Sequence, residues 1–224
     1  MSEKQQPAAF EIKDCALIGI STGRRAQSLR EMRDILQDVH EDSIYYHFWG
    51  HLLRPRFDNP EYMNDFATWA HNCLHDRKLS EQLGVIDPAD FDNLEELRQE
   101  LVNVIEERLD ESDTVRWASV DEQFHFIRSQ IVVFDTRVSV GDPAELASLI
   151  PTMSLGSIFY HFIDARTREP RGTDDFVAWL ADVGDEYESL CFSLNAVDPY
   201  FATLSELRQT LAAVFSSCLR REAS

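Results

Sequence analysis

The chain has 224 residues, 44% of them hydrophobic and 11% aromatic, with a formal net charge of −19. That composition is globular rather than disordered, and so acidic a balance argues against nucleic acid, whose phosphates need a cationic face, and against anionic lipid. No apolar run approaches a membrane span, and Met1 to Pro7 lacks the apolar core of a signal peptide.

The only lysines are Lys4, Lys13 and Lys78. An acidic, lysine-poor surface fits a salty cytoplasm, where self-repulsion is screened, and equally an acidic bacterial protein from a GC-rich genome. Cys15, Cys73, Cys191 and Cys218 form no Cys-x-x-Cys pair and read as reduced thiols of a cytoplasmic protein.

Residues 1–9 read as a disordered tail. From Phe10 to Ile20 apolar residues first alternate and then cluster, the pattern of a strand that becomes buried. Ser21 to Arg25 reads as a short loop. A helix then opens on the capping box Ser28-Leu29-Arg30-Glu31 and breaks near His40-Glu41-Asp42. The next helix, about 43–54, opens on Ser43-Ile44-Tyr45-Tyr46-His47-Phe48. It is apolar almost all round and is therefore buried. A third helix is expected after Asn59-Pro60, with the stripe Tyr62, Phe66, Trp69 and Cys73. A fourth starts at Asn93, with Glu96 three residues on.

The same elements then recur. Ser157-Ile158-Phe159-Tyr160-His161-Phe162 repeats the hexapeptide, Phe124 matches Phe10, and Asp142 with Pro143 matches the first helix cap. After a shorter loop, Asp175, Phe176 and Trp179 match Asp65, Phe66 and Trp69; Val197-Asp198-Pro199 matches Ile86-Asp87-Pro88; and Leu204 to Leu211 matches Leu94 to Leu101. The expected fold is mainly α (α+β), an internally duplicated helical protein with one strand per repeat in a small central sheet. Residues 10–112 form repeat 1 and 113–224 form repeat 2, packed as one compact body about a pseudo-two-fold axis.

Five of seven histidines lie in repeat 1. His47-x-x-x-His51 and His71-x-x-x-His75 each put two imidazoles on one face if helical. Two such helices supply the four ligands of a tetrahedral site for a divalent transition metal. The bland alternative makes His47 and His161 hydrogen-bonded core residues and the rest surface residues. It is favoured because repeat 2 keeps only His161, and because His71 and His75 lie opposite the apolar stripe. No cofactor is otherwise expected.

Ser21, Thr22, Gly23, Arg24 and Arg25 form a candidate anion site, where backbone N–H groups and two guanidiniums hold a phosphate. Its counterpart Asp135-Thr136-Arg137 loses most of that charge. Arg54 and Arg56, like Arg168 and Arg171, follow the central helix and suit a carboxylate or acidic partner, or a rigid turn with surface ion pairs. Asp65 and Asp175 suit acid/base work, or a helix's first turn. Ser43 and Ser157 read as caps. Tyr46, Arg54, Arg56, Asp65, Trp69, His161 and Trp179 together form the repeat signature.

The stretch Cys15 to Arg25, the hexapeptide Ser43 to Phe48 and Arg54-Pro55-Arg56-Phe57 resemble a bacterial family known only as a domain of unknown function. The resemblance is strongest over roughly residues 10–110. It implies a bacterial, cytoplasmic protein and supplies no reaction.

The reading that follows is a non-enzymatic binding or regulatory module, working through a protein partner or self-association, with no nucleic acid and no membrane. The alternatives are a metal-dependent enzyme built on His47, His51, His71 and His75, and a binder of a phosphorylated small molecule at Ser21 to Arg25.

Overall fold

The computed structural model describes residues 8–53, 61–111, 117–168, 172–200 and 203–222. Arg54, Arg56, Asn59, Pro60, Arg171 and the first seven residues of the expected tail lie outside them. The fold is mainly α with one small sheet, the antiparallel pair β1 (Phe10–Ala26) and β2 (Phe124–Val140).

β1 is longer than its sequence suggests. It continues through Ser21 to Arg25, which is strand and not loop. Thr22 Oγ1 donates to the carbonyl of Phe126 (2.7 Å) and accepts from the Arg24 N–H (3.1 Å), while the Gly23 N–H donates to Ser21 Oγ (3.3 Å). The hydroxyl thus carries the pairing across a kink at which Gly23 takes φ 74°, the backbone of a bulge. β2 does the same. Thr136 Oγ1 donates to the Ile12 carbonyl and accepts from Val138 N–H (3.2 Å). Arg137, in the place of Gly23, sits at φ 60°.

Helices α1 (Leu29–Leu36), α2 (Glu41–Trp49), α3 (Asp65–Asn72), α4 (Arg77–Gly84) and α5 (Leu94–Asp110) follow β1. The capping box forms as its sequence demands: Glu31 N–H donates to Ser28 Oγ and Ser28 N–H donates to Glu31 Oε2, each at 3.3 Å. α2 is buried from Ser43 to Trp49 on every face. It is shorter at its C-terminus than expected, stopping at Gly50, and its cap is His40, whose Nδ1 accepts from the Asp42 N–H (3.2 Å). Ser43 is therefore not a cap; its hydroxyl donates to the Ile127 carbonyl (2.9 Å). α3 is capped by Asn64, whose Oδ1 accepts from the Ala67 N–H (2.8 Å).

After β2 come α6 (Pro143–Leu149), α7 (Leu155–Ile158), a π turn over Phe159–Ile163, α8 (Asp175–Val183), α9 (Glu188–Asn195) and α10 (Leu204–Glu222). Asp142 caps α6, accepting from the Ala144 N–H (2.8 Å) with Pro143 in the first position. α7 is capped by Ser154, which accepts from the Ser157 N–H (2.9 Å), so Ser157 is not the cap either.

The chain divides into two compact units. The central unit is Leu17–Ile131; the terminal unit combines Met1–Ala16 with Val132–Ser224. The head of β1 therefore packs with α6 to α10, and the head of β2 with α1 to α5. In the central unit Phe66 stacks on Phe124 at 5.1 Å, and Leu97, Leu101 and Ile105 of α5 are buried in the same unit. In the terminal unit Phe10 stacks on Phe176 at 5.4 Å, and Phe176 meets Phe215 edge-on at 5.9 Å.

Candidate functional site

The most built polar constellation in each unit surrounds the histidine of the hexapeptide. In the terminal unit His161 is 3% exposed. Its Nδ1 lies 2.7 Å from Asp175 Oδ2, and its Nε2 accepts the N–H of Lys13 at 2.8 Å. A ring nitrogen that accepts a backbone N–H carries no proton, so the proton sits on Nδ1 and is donated to the carboxylate. In the central unit His47, also 3% exposed, contacts Asp65 Oδ2 at 2.9 Å and accepts the N–H of Ile127 at 3.1 Å.

The local sequence explains the placement. Asp65 and Asp175 are the first residues of α3 and α8, where a carboxylate is stabilised by the helix dipole. One turn later, Trp69 Nε1 donates to the Glu122 carbonyl and Trp179 Nε1 to the Ala8 carbonyl, both at 2.8 Å. Imidazole and indole together hold the chain at the start of each strand. Phe10 and Phe124 fill the space between them, 4.8 and 4.6 Å from the two imidazole centroids. Tyr46 packs edge-on against His47 at 5.3 Å. Its hydroxyl stands where Gly19 leaves room: a Cβ there would lie 2.9 Å away.

Further side chains complete the edge. Ser129 Oγ donates to the Asp42 carbonyl (3.1 Å), and at the matching place Cys15 Sγ donates to the Gly156 carbonyl (3.3 Å). Burial, then the carboxylates of Asp164 and Asp14, push the Cys15 thiol up to about 12, which makes it a packing group and not a nucleophile. A histidine–aspartate pair also serves general-base chemistry, but there Nε2 must face a reacting proton. Here it faces the backbone.

Arg168 is the described arginine of the turn after the central helix. Its Nη2 donates to Asp175 (2.9 Å) and to the Tyr160 carbonyl (2.9 Å), its Nε lies 3.2 Å from Asp164, and its guanidinium stands 4.3 Å over the Tyr160 ring. It pairs with two carboxylates of its own unit. Beside it, Arg166 Nη2 donates to Asp174 Oδ2 (3.0 Å). Burial raises the Asp174 carboxyl, against the lowering effect of the Val177 N–H and Arg166. Sequence reasoning did not single out Asp164, Arg166 or Asp174; their only signal is a difference in residue type from Gly50, Leu52 and Asn64, which stand opposite them in the sequence alignment of the two halves.

The four candidate metal ligands are not brought together. α2 ends before His51 and α3 ends before His75, so neither pair shares a helical face. His51 is buried. His71 Nδ1 lies 3.4 Å from the Tyr62 hydroxyl and its Nε2 3.6 Å from Glu61. His75 is exposed at φ 52°. Among the described residues no group of three or more His, Cys, Asp or Glu is placed to hold a metal ion. At the candidate anion site, the Gly23 and Arg24 N–H groups are bound to Ser21 and Thr22, and Arg24 Nη1 pairs with Asp38 at 2.9 Å. Arg25 is exposed.

Residues 7–216 match the model of a family described as a family of unknown function, DUF5752. No curated protein matches significantly. Among solved structures the chain is similar to OrfY from Thermoproteus tenax, at 25% identity and a TM-score of 0.82, over 96% of this chain and 97% of that one. Among the described residues no helix is long and apolar enough to cross a membrane.

Proposed function

We propose that this chain, which belongs to the DUF5752 family of unknown function, is a non-enzymatic cytoplasmic binding or regulatory module acting through protein–protein contact. One observation carries the reading. The polar residues that recur in both halves, and that would be the first choices for chemistry, are engaged in holding strands: both ring nitrogens of His47 and of His161 are bonded inside the core. With those groups committed to the scaffold, what differs between the halves is the outer surface, and a surface acts by recognition.

The test is capture with the full-length tagged chain under mild cross-linking, followed by reconstitution with the purified captured protein. A defined complex at sedimentation equilibrium, with a partner or with a second copy, is the expected result. The reading falls if no complex forms while phosphorylated metabolites or a transition metal raise the melting temperature, because a ligand of the folded state stabilises it by mass action.

A further inference from the structure

Helices α4 and α9 occupy matching places in the two units. Leu79 and Leu83 are buried on one, Leu190 and Leu194 on the other, and each helix runs into its Ile/Val-Asp-Pro turn. Their outer faces differ. α4 carries an ordinary solvated ion pair one helical turn apart, Arg77 Nε to Glu81 Oε1 at 2.8 Å. At the same two positions α9 has Glu188 and Phe192, and Phe192 is 77% exposed.

The surroundings of Phe192 are unusual in charge. Between Gly172 and Tyr200 the chain has seven carboxylates and no Lys, Arg or His. Asp174 and Asp175 turn inward to Arg166 and His161. Asp182, Asp185, Glu186, Glu188 and Asp198 are exposed. Along the helix Phe192 is flanked by exposed Ser189, Asn195 and Ala196, which are small and uncharged, so the ring stands clear of its neighbours. A single exposed apolar residue is unremarkable on any protein. A fully presented phenyl ring among exposed carboxylates, where the matching helix has a salt bridge, is a different surface.

We propose that the outer face of α9 docks a cationic amphipathic segment of another protein, with arginine at its margin and an apolar strip over Phe192. Guanidinium suits both elements of the face, since it binds carboxylates in a bidentate manner and stacks on an aromatic ring. A desolvated aromatic anchor inside a charged rim is the usual anatomy of an interface centre, and the carboxylates steer a basic partner towards it. The assignment rests on the binding-module reading and names the chemistry of its partner.

The probe is a fluorescein-labelled synthetic helix of about five turns, leucine on one face and arginine on the other, titrated with the full-length chain by anisotropy at low and high salt. The variants are Phe192→Ser; the triple change Asp185→Asn, Glu186→Gln, Glu188→Gln; and, as a control, Glu106→Gln, Glu107→Gln, Asp110→Asn on α5, which removes the same charge elsewhere. Circular dichroism establishes that each is folded. The expected result is affinity at least about tenfold weaker for Phe192→Ser, a similar loss with a flatter salt dependence for the α9 triple, and a control within about twofold of the parent. Equal weakening by the control, or full affinity in Phe192→Ser, overturns the proposal and leaves only diffuse attraction of a polycation to an acidic protein. A captured partner that binds the parent and Phe192→Ser alike sinks this face while the binding-module reading stands. Failure to capture any partner, together with a melting temperature raised by phosphorylated metabolites or a transition metal, sinks that reading, and the titration still decides the face.

Discussion

Replacing His161 by leucine removes two hydrogen bonds and keeps most of the apolar contact with Phe10 and Phe176, whose ring centroids lie 4.8 and 5.9 Å from the imidazole. The Lys13 N–H, now bonded to Nε2 at 2.8 Å, loses its acceptor on a strand edge that leucine still covers. A donor stranded in this way costs about 1–3 kcal/mol. Asp175 loses the 2.7 Å contact with Nδ1 but keeps Arg168 at 2.9 Å, so its share is the smaller one, about 1 kcal/mol. The total is about 2–4 kcal/mol, or roughly 5–15 °C in melting temperature for a chain of this size. Urea unfolding followed by circular dichroism and tryptophan fluorescence measures the global cost. Amide hydrogen exchange at Lys13 measures the local one, and protection there is expected to fall about tenfold or more. His125→Leu, at an exposed position of β2, is the control and stays within about 0.5 kcal/mol. If His161→Leu matches that control and the Lys13 amide keeps its protection, the imidazole is not what holds the strand.

Gly156 is the closest approach of α7 to β1: a Cβ there would lie 2.4 Å from the Cys15 carbonyl oxygen and 2.2 Å from Asp14 Oδ1, whereas Gly141 has nothing within 4 Å. Gly156→Ala is expected to lose about 1–3 kcal/mol and Gly141→Ala to change little, read as the difference in urea midpoint; equal effects would remove the steric account. Arg137 holds at φ 60° a conformation that Gly23 adopts freely at φ 74°, so Arg137→Gly is expected to stabilise by about 1 kcal/mol and Gly23→Ala to destabilise by a similar amount, in the same unfolding assay. With its thiol pushed to about 12 by burial and by Asp164 and Asp14, Cys15 has roughly one part in 10⁴ as thiolate at pH 8. Its alkylation by iodoacetamide, followed by peptide mapping, should run at least about 100-fold slower in the native chain than in urea, and a native rate like that of a free cysteine would contradict the burial.

What could be read from the sequence is what is decided locally. The Ser28/Glu31 box, Pro143 after Asp142 and the apolar circumference of α2 each follow from a few neighbouring residues, and each forms as expected. The likeness to a family of unknown function holds as a match over residues 7–216. The misreadings depend on partners distant in the chain. Ser21-Thr22-Gly23 has the composition of a turn, and it stays in the strand because Thr22 reaches a carbonyl more than a hundred residues away. Histidines four apart suggest one helical face, but the helices stop at Gly50 and Cys73. Gly50 is a local stop signal that the apolar pattern of 43–54 overrides in the sequence, whereas the stop at Cys73 carries no glycine or proline and is set by tertiary packing.

The recurring residues explain the scaffold and, by subtraction, which surfaces it leaves free to vary. Phe10 and Phe124, Trp69 and Trp179, His47 and His161, Asp65 and Asp175 make the same contacts in the two units. Each strand head is clasped by helices that follow the other strand in the chain. Such a clasp tolerates little change, because its imidazoles and indoles satisfy backbone groups that would otherwise be stranded on an open edge, and the Phe and Asp side chains hold those rings in place. Residues outside the clasp are free to diverge. They have done so most visibly where α4 keeps Arg77 and Glu81 as a solvated pair and α9 presents Glu188 and Phe192. A salt bridge satisfied by water and by its own helix offers a partner little. An exposed ring beside exposed carboxylates gains from being covered. The asymmetry between two similar helices is therefore the ground for proposing the outer face of α9, where the scaffold requires nothing, as the docking surface.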